Sequence, residues 1–417
     1  MASSSLGALL YGPQDLRVEE MVLGPPGAGE VQIEIKQTGL CGSDLHYYLH
    51  GRNGDFALRA PMCLGHESAG VVVALGPGAA EASGLRMGSR VAIEAGRYCA
   101  SCNRCREGRY NLCPDMRFAS SAKTFPHLHG TLQQRMNWPA SLVHALPPHL
   151  SLTTGALIEP LSVVLQALTR TSFGPGESLL VVGAGAIGQL ACAAARASGA
   201  SFVGAVDIDA GRVAFAADNG WADDTLVLPL QRDNSSDSSE AEPLRSRAEE
   251  DRAAMELVKQ QAAAVQSAFP CIASSGGFDV VLECSGVPAC VALSIYAARS
   301  GGRVGLIGMG HPVQTLPVGA AALREVDLVG VFRYAGMYPK AIDLLASGAL
   351  RASGFGRQAT EPPGRASHAS SSITPGGIEN LFSHRFRLVD ARAAFEVLRA
   401  GRSEDGRGVV KVFVSEE

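Results

Sequence analysis

The chain has 417 residues, 46% hydrophobic and 18% charged, with 48 glycines and a formal net charge of −4. That length predicts two domains or three, and the slight acidity speaks against a nucleic-acid or anionic-membrane partner. No basic region precedes the first apolar run, so no secretory signal is expected; the longest apolar run, 179–195, is broken by Gly183, Gly185 and Gly188 and is not expected to span a membrane.

Residues 1–160 read as strand-rich. Short strands are expected at 7–11, 17–22, 30–38, 68–75 and 90–94, with turns at Gly24-Pro25-Pro26-Gly27 and Gly76-Pro77-Gly78 between them. Within 30–38, Val31, Ile33 and Ile35 alternate with Gln32, Glu34 and Lys36, the period-two pattern of a strand with one buried face. Cys41 and His66 lie on irregular segments punctuated by glycine, as functional residues on the loops of a β-barrel-like body do. From 161 the pattern changes. Strands at 178–183, 201–207, 278–284 and 302–307 alternate with helices at 188–198 and 289–298, which predicts βαβ units and a parallel sheet. After 331 the character is mixed again, ending in a strand at 408–414. Two stretches interrupt this order: 231–264, polar and then Ala/Gln-rich and helical, and 351–377, rich in Ser, Gly and Pro. Both are expected to be surface insertions. No internal repeat is evident.

Gly183-Ala184-Gly185-Ala186-Ile187-Gly188 is a G-x-G-x-x-G that follows an apolar strand and opens a helix, with Asp207 ending the next strand. In that setting the first glycine allows the tight turn and the second lets the backbone approach a pyrophosphate at the helix N-terminus. Asp207 is placed to accept ribose hydroxyls and repel a 2′-phosphate, so NAD is expected over NADP; Arg212 nearby would weaken that preference by reaching a 2′-phosphate. Cys99, Cys102, Cys105 and Cys113 put four thiolates in one short loop, a closed tetrahedral set for a structural zinc. The other cysteines, Cys63, Cys192, Cys271, Cys284 and Cys290, read mostly as core or loop residues. With no export signal and four cysteines at metal spacing, reduced thiols in the cytoplasm are expected. Cys41, His66, Glu67 and Glu159 mean little one at a time. As a thiolate, an imidazole and two carboxylates they form a donor mix that suits a catalytic zinc with an open position.

Taken together, Gly39-Leu40-Cys41-Gly42-Ser43-Asp44-Leu45-His46, Gly65-His66-Glu67-Ser68-Ala69-Gly70, the four-cysteine segment, the 155–163 stretch around Glu159-Pro160 and the glycine motif resemble the zinc-dependent medium-chain dehydrogenases. Arg324-Glu325-Val326-Asp327 and Gly330-Val331-Phe332-Arg333-Tyr334 resemble its polyol branch, the sorbitol (L-iditol) and xylitol dehydrogenases. The resemblance implies an α/β fold: a GroES-like β-rich catalytic domain (1–160 and 332–417, with a structural zinc lobe at 96–114) split around a doubly wound Rossmann domain (161–331), usually as a homotetramer. It implies that Cys41, His66 and Glu67 hold the catalytic zinc and that Glu159 contacts it directly or through water. Ser43, Tyr47, Phe118, Glu159, Arg333 and Tyr334 would line a polyol pocket. Ile187, Asp207, Arg212, Ile307, Gly308, Met309, Val331, Phe332 and Arg333 would meet NAD, beside Gly183, Gly185 and Gly188. The implied reaction is oxidation of a secondary hydroxyl to a ketose with hydride passing to NAD, Ser43 and Glu159 handling the proton and His46 ending the relay. The alternatives are a dehydrogenase of another alcohol (L-arabinitol, threonine, butanediol) and an inactive NAD-binding relative.

Three features depart from the family pattern. Animal sorbitol dehydrogenases lack the full set of four structural cysteines found here. Ala335-Gly336-Met337-Tyr338 replaces a Cys-Asn-Thr-Trp-like run, and the 120–129 loop, with Lys123, His127 and His129, differs from the usual one and is expected to be solvated.

Overall fold

The computed structural model describes residues 3–229, 247–350 and 377–416; the expected insertion at 351–377, save its last residue, and the polar first part of the one at 231–264 lie outside these residues. The chain divides into two units. The first comprises Met1–Gln166, Phe332–Ala349 and Ile378–Glu417, and the second Ala167–Val331 with Leu350–Gly377.

In the first unit the strand Glu30–Gly39 is the hub of a seven-stranded sheet. Val31, Ile33 and Ile35 are buried while Glu34 and Lys36 are half-exposed, so the alternation of the sequence becomes the two faces of this strand. It pairs antiparallel with Glu67–Leu75, placing Gly39 opposite Glu67. On its other side it pairs antiparallel with the C-terminal strand Lys411–Ser415, Phe413 opposite Gly39. This register brings three distant segments to one end of the sheet, where the candidate site lies. A second cluster includes Leu10, Tyr47, Tyr48, Leu64, Phe395 and Val412. In it the rings of Tyr48 and Phe395 stack at 4.9 Å, fixing the buried face of helix Gly42–His50.

The second unit is a six-stranded parallel sheet. Its spatial order is Asp224–Val227, Phe202–Asp207, Ser178–Val182, Phe278–Glu283, Ala298–Leu306, Asp327–Gly330. This is the doubly wound order 3-2-1-4-5-6, whose direction reverses beside the first strand and leaves a ligand crevice there. Leu179, Leu180 and Val181 are fully buried, as a strand covered on both faces requires. The helical piece expected to end at 264 runs over Arg247–Ala268 and buries Val258, Ala262 and Val265 in the core. It is therefore not a surface insertion. Its apolar residues at helical spacing form a stripe too sparse to stand out in a polar, Ala/Gln-rich stretch. The fold class is the α/β arrangement expected.

Candidate metal centre and dinucleotide site

The metal cluster is built around the start of helix Gly42–His50. Cys41 is its N-cap, and Asp44 accepts the Cys41 N–H at 3.2 Å in a capping-box arrangement. Asp44 is fully buried. Its Oδ1 also accepts the Gly65 N–H at 3.1 Å and the Ser120 hydroxyl at 2.6 Å, and lies 3.4 Å from Nδ1 of His66. Gly65 has φ +89°, and a Cβ there would stand 2.8 Å from Thr38, so only glycine turns the chain tightly enough to deliver His66. One ligand atom each from Cys41, His66 and Glu67 lies within 4.8 Å of the others. A soft thiolate, an imidazole and a carboxylate at that spacing fit zinc. Nδ1 of His66, which makes no hydrogen bond among the described residues, faces this carboxylate, the kind of group that usually supports a metal-bound histidine. Burial works against protonating His66, but Asp44 and then Cys41 outweigh it, so its pKa stands well above the ordinary value.

Beneath the cluster lies Lys411. Its Nζ is 2.6 Å from Oε1 and 2.5 Å from Oε2 of Glu67, and both side chains are almost wholly buried. Glu159, from helix Ile158–Arg170, is buried close by but is not one of the three clustered donors. Burial lifts its pKa to about 7, Glu67 adding to the rise while His66, Tyr334 and Lys411 oppose it.

Around these groups stand the residues expected to meet substrate. The Phe118 ring lies edge-on to His66, 5.5 Å between centroids. Arg333, at φ +50°, stacks its guanidinium 3.8 Å above Phe118 and 4.8 Å from Phe332. Its Nη1 is buried without a hydrogen-bond partner among the described residues. Burial draws the Arg333 pKa down to about 10, against the support of Tyr334, Glu159 and Tyr47. The Tyr47 hydroxyl accepts the Ala122 N–H at 2.9 Å. Ser43 is half-buried in the first helical turn, while His46 is exposed with His50 beside it; burial first and then the His50 charge lower its pKa.

The four lobe cysteines also converge. Sγ separations are 3.5 Å for Cys102–Cys105, 3.6 Å for Cys113–Cys99 and 4.0 Å for Cys99–Cys105. All four are free, and a tetrahedron with Zn–S bonds of about 2.3 Å has edges of about 3.8 Å. The N–H of Ser101, then its hydroxyl and the Cys102 N–H, pull the Cys99 thiol down to about 6.

In the second unit, Gly183, Gly185, Ile187 and Gly188 form the turn and first helical residues after strand Ser178–Val182. A Cβ on Gly188 would strike the Gly183 carbonyl at 2.0 Å, whereas one on Gly185 would meet open space. The former glycine is required by helix–strand packing, and the latter leaves room for a ligand. Asp207 accepts the Ala184 N–H at 2.7 Å and the Asp209 N–H at 2.9 Å, with Arg212 3.9 Å away. Ile307 and Gly308 donate to the Glu283 carbonyl, which fixes the loop after the fifth strand, while Met309 is exposed. Val331 ends this unit and Phe332 and Arg333 begin the return to the first.

Sequence reasoning gave no role to Asp44, Lys411 or Ser120. The first had a signal, an acidic side chain three residues after a helix N-cap. The second had one too, a lysine inside the apolar run Val409-Val410-Lys411-Val412-Phe413-Val414. The 120–129 loop is not solvated throughout. His127 is buried, its Nδ1 against the Thr124 carbonyl and its Nε2 accepting the Arg59 N–H at 2.9 Å, and His129 accepts the Cys63 N–H at 3.1 Å.

Residues 27–148 match the alcohol dehydrogenase GroES-like domain, and residues 186–347 the zinc-binding dehydrogenase domain. A sorbitol dehydrogenase of Arabidopsis thaliana is 37% identical over 346 residues, covering 83% of this chain and 85% of the relative. An L-idonate 5-dehydrogenase of Vitis vinifera is 36% identical over the same length, with the same coverage. The crystal structure of L-idonate 5-dehydrogenase from Escherichia coli superposes with a TM-score of 0.77 over 100% of this chain and 99% of that one; at 24% identity this speaks for the fold alone. Fold and donor sets define a zinc-binding dehydrogenase that works with a nicotinamide cofactor. The chain belongs to the zinc-dependent medium-chain dehydrogenases, in their polyol branch.

Proposed function

We propose that this protein oxidises a secondary hydroxyl of a polyol such as sorbitol or xylitol to the ketose, with hydride passing to NAD. The observation that carries the reading is the unpartnered, buried Nη1 of Arg333 beside Phe118, Tyr334 and Glu159. A guanidinium in that position offers paired donors to neighbouring hydroxyls, a contact that a plain alcohol cannot repay. Cys41, His66 and Glu67 would hold the catalytic zinc, with Glu159 at its side, and Cys99, Cys102, Cys105 and Cys113 the structural one. When bound, zinc supplies Lewis acidity that makes a hydroxyl easier to ionise, and NAD supplies the hydride acceptor.

The chain's own residues do the rest. Tyr47, Phe118, Arg333 and Tyr334 orient the polyol. Ser43 relays the polyol proton, taking it up as it gives its own hydroxyl proton onward, and Glu159, poised near neutrality by burial, can hold or release one. His46, exposed, is assigned the solvent end of the relay. Gly183, Gly185, Ile187, Gly188, Ile307, Gly308, Met309, Val331 and Phe332 are assigned to the dinucleotide. Asp207 sets NAD over NADP. A homotetramer in the cytoplasm is part of the proposal. It is supported by strand Asp327–Gly330, which ends its sheet unpaired on one side among the described residues, with Leu323 and Leu328 exposed nearby, and by ten free thiols. Among the described residues no helix is long and apolar enough to cross a membrane.

The test is a panel of polyols and plain secondary alcohols with NAD, read by NADH absorbance alongside zinc analysis. Two zincs per chain and a clear preference for polyols are expected. Turnover of plain alcohols equal to that of polyols would refute the role of Arg333.

A further inference from the structure

We infer that Ser120 is a positioning residue for the catalytic metal: its hydroxyl fixes the Asp44 carboxylate that orients His66. The inference rests on the reading of Cys41, His66 and Glu67 as the zinc site.

Ser120 is buried, 3% exposed, and sits at φ +60°, the left-handed region where glycine is at ease and an L side chain is not. Strain of this kind persists where the surroundings enforce it. Here the Ser120 N–H is tied to the Leu128 carbonyl at 3.1 Å, and the hydroxyl donates to Asp44 Oδ1 at 2.6 Å. That hydroxyl is what glycine would lack. The same Oδ1 faces Nδ1 of His66 at 3.4 Å, so Ser120 and His66 share one carboxylate oxygen. Two residues earlier, Phe118 lies against the His66 ring; two residues later, the Ala122 N–H holds Tyr47. One short segment therefore lies against the ring of the metal-binding histidine and, through Asp44, sets the carboxylate that faces its Nδ1. Support of this sort for a ligand is worth on the order of ten- to a hundred-fold in metal affinity.

Ser120→Gly separates the two roles that the side chain could have. It relieves the backbone and removes the hydroxyl. Ser120→Ala removes the hydroxyl alone. Zinc-loaded parent and variants are titrated with a graded chelator, zinc per chain is counted, and thermal melts are recorded before and after stripping. Both variants are expected to release one zinc at roughly ten- to a hundred-fold lower chelator strength than the parent. The other zinc, in the four-cysteine lobe, should leave as it does from the parent, and stripped Ser120→Gly should melt no lower than the stripped parent. Release of both zincs at the parental chelator strength overturns the inference, and so does a parallel weakening of both, which would report general loosening. A parent that never holds more than one zinc per chain overturns the reading of the catalytic site, and this inference with it.

Discussion

Lys411→Met tests whether the buried Lys411–Glu67 pair is a counter-charge that a metal can replace. At 2.6 Å and an effective dielectric of about 20, two unit charges attract by roughly 6 kcal/mol. Desolvation of both groups offsets part of this, and removing one partner of such a pair typically costs about 3–5 kcal/mol. Metal-free Lys411→Met should therefore be less stable than the metal-free parent by about 3–5 kcal/mol in urea unfolding at pH 7. Zinc bound by Cys41, His66 and Glu67 would put positive charge back beside Glu67, so the loaded variant should recover much of the difference. Lys411→Met combined with Glu67→Gln should recover it without metal, because no charge is left stranded. A loss under about 1 kcal/mol, or the same loss in the double variant, would refute this reasoning.

Three further outcomes follow from the same geometry. Glu159 has its pKa raised by burial from 4.5 to about 7, so the folded chain binds that proton more tightly than the unfolded one. The stability it contributes is full below about pH 4.5 and lost as the pH rises through 7, roughly 3 kcal/mol in all, and Glu159→Gln should flatten that part of the profile in urea unfolding of metal-free protein. Cys41→Ser should abolish turnover and leave NADH binding intact by fluorescence titration, whereas Cys102→Ser should lose one zinc and lower the melting temperature. Asp207→Ala should narrow the ratio of NAD to NADP turnover and raise the KM for NAD, since Asp207 also holds the Ala184 N–H; a parent that prefers NADP would rule out the assignment.

What could be read in the sequence and what could not divide along the range of the interactions. The alternation of Val31, Ile33 and Ile35, the βαβ rhythm after 161 and the glycine turn at 183–188 are set by neighbours within a few residues, so the α/β class was legible. The helix Arg247–Ala268 was half legible: its periodicity was present, but its burial depends on the later helix Pro288–Ala297, against which it packs. The support of the metal cluster left only faint marks, an acidic residue after the Cys41 N-cap and a lysine in an apolar run, and neither named its partner; the reason is topological. Lys411 meets Glu67 across 344 residues, because Lys411–Ser415 and Glu67–Leu75 flank the same strand, and Ser120 meets Asp44 across 76. Motif residues announce themselves by type and spacing because metals and phosphates demand particular donors. The residues that hold them in place need only be polar, buried and correctly aimed, and many side chains can meet that demand. For this chain the departures from the family pattern, such as Ser120 in an atypical loop, are therefore where substitution experiments should find metal affinity altered without any change in the donors themselves.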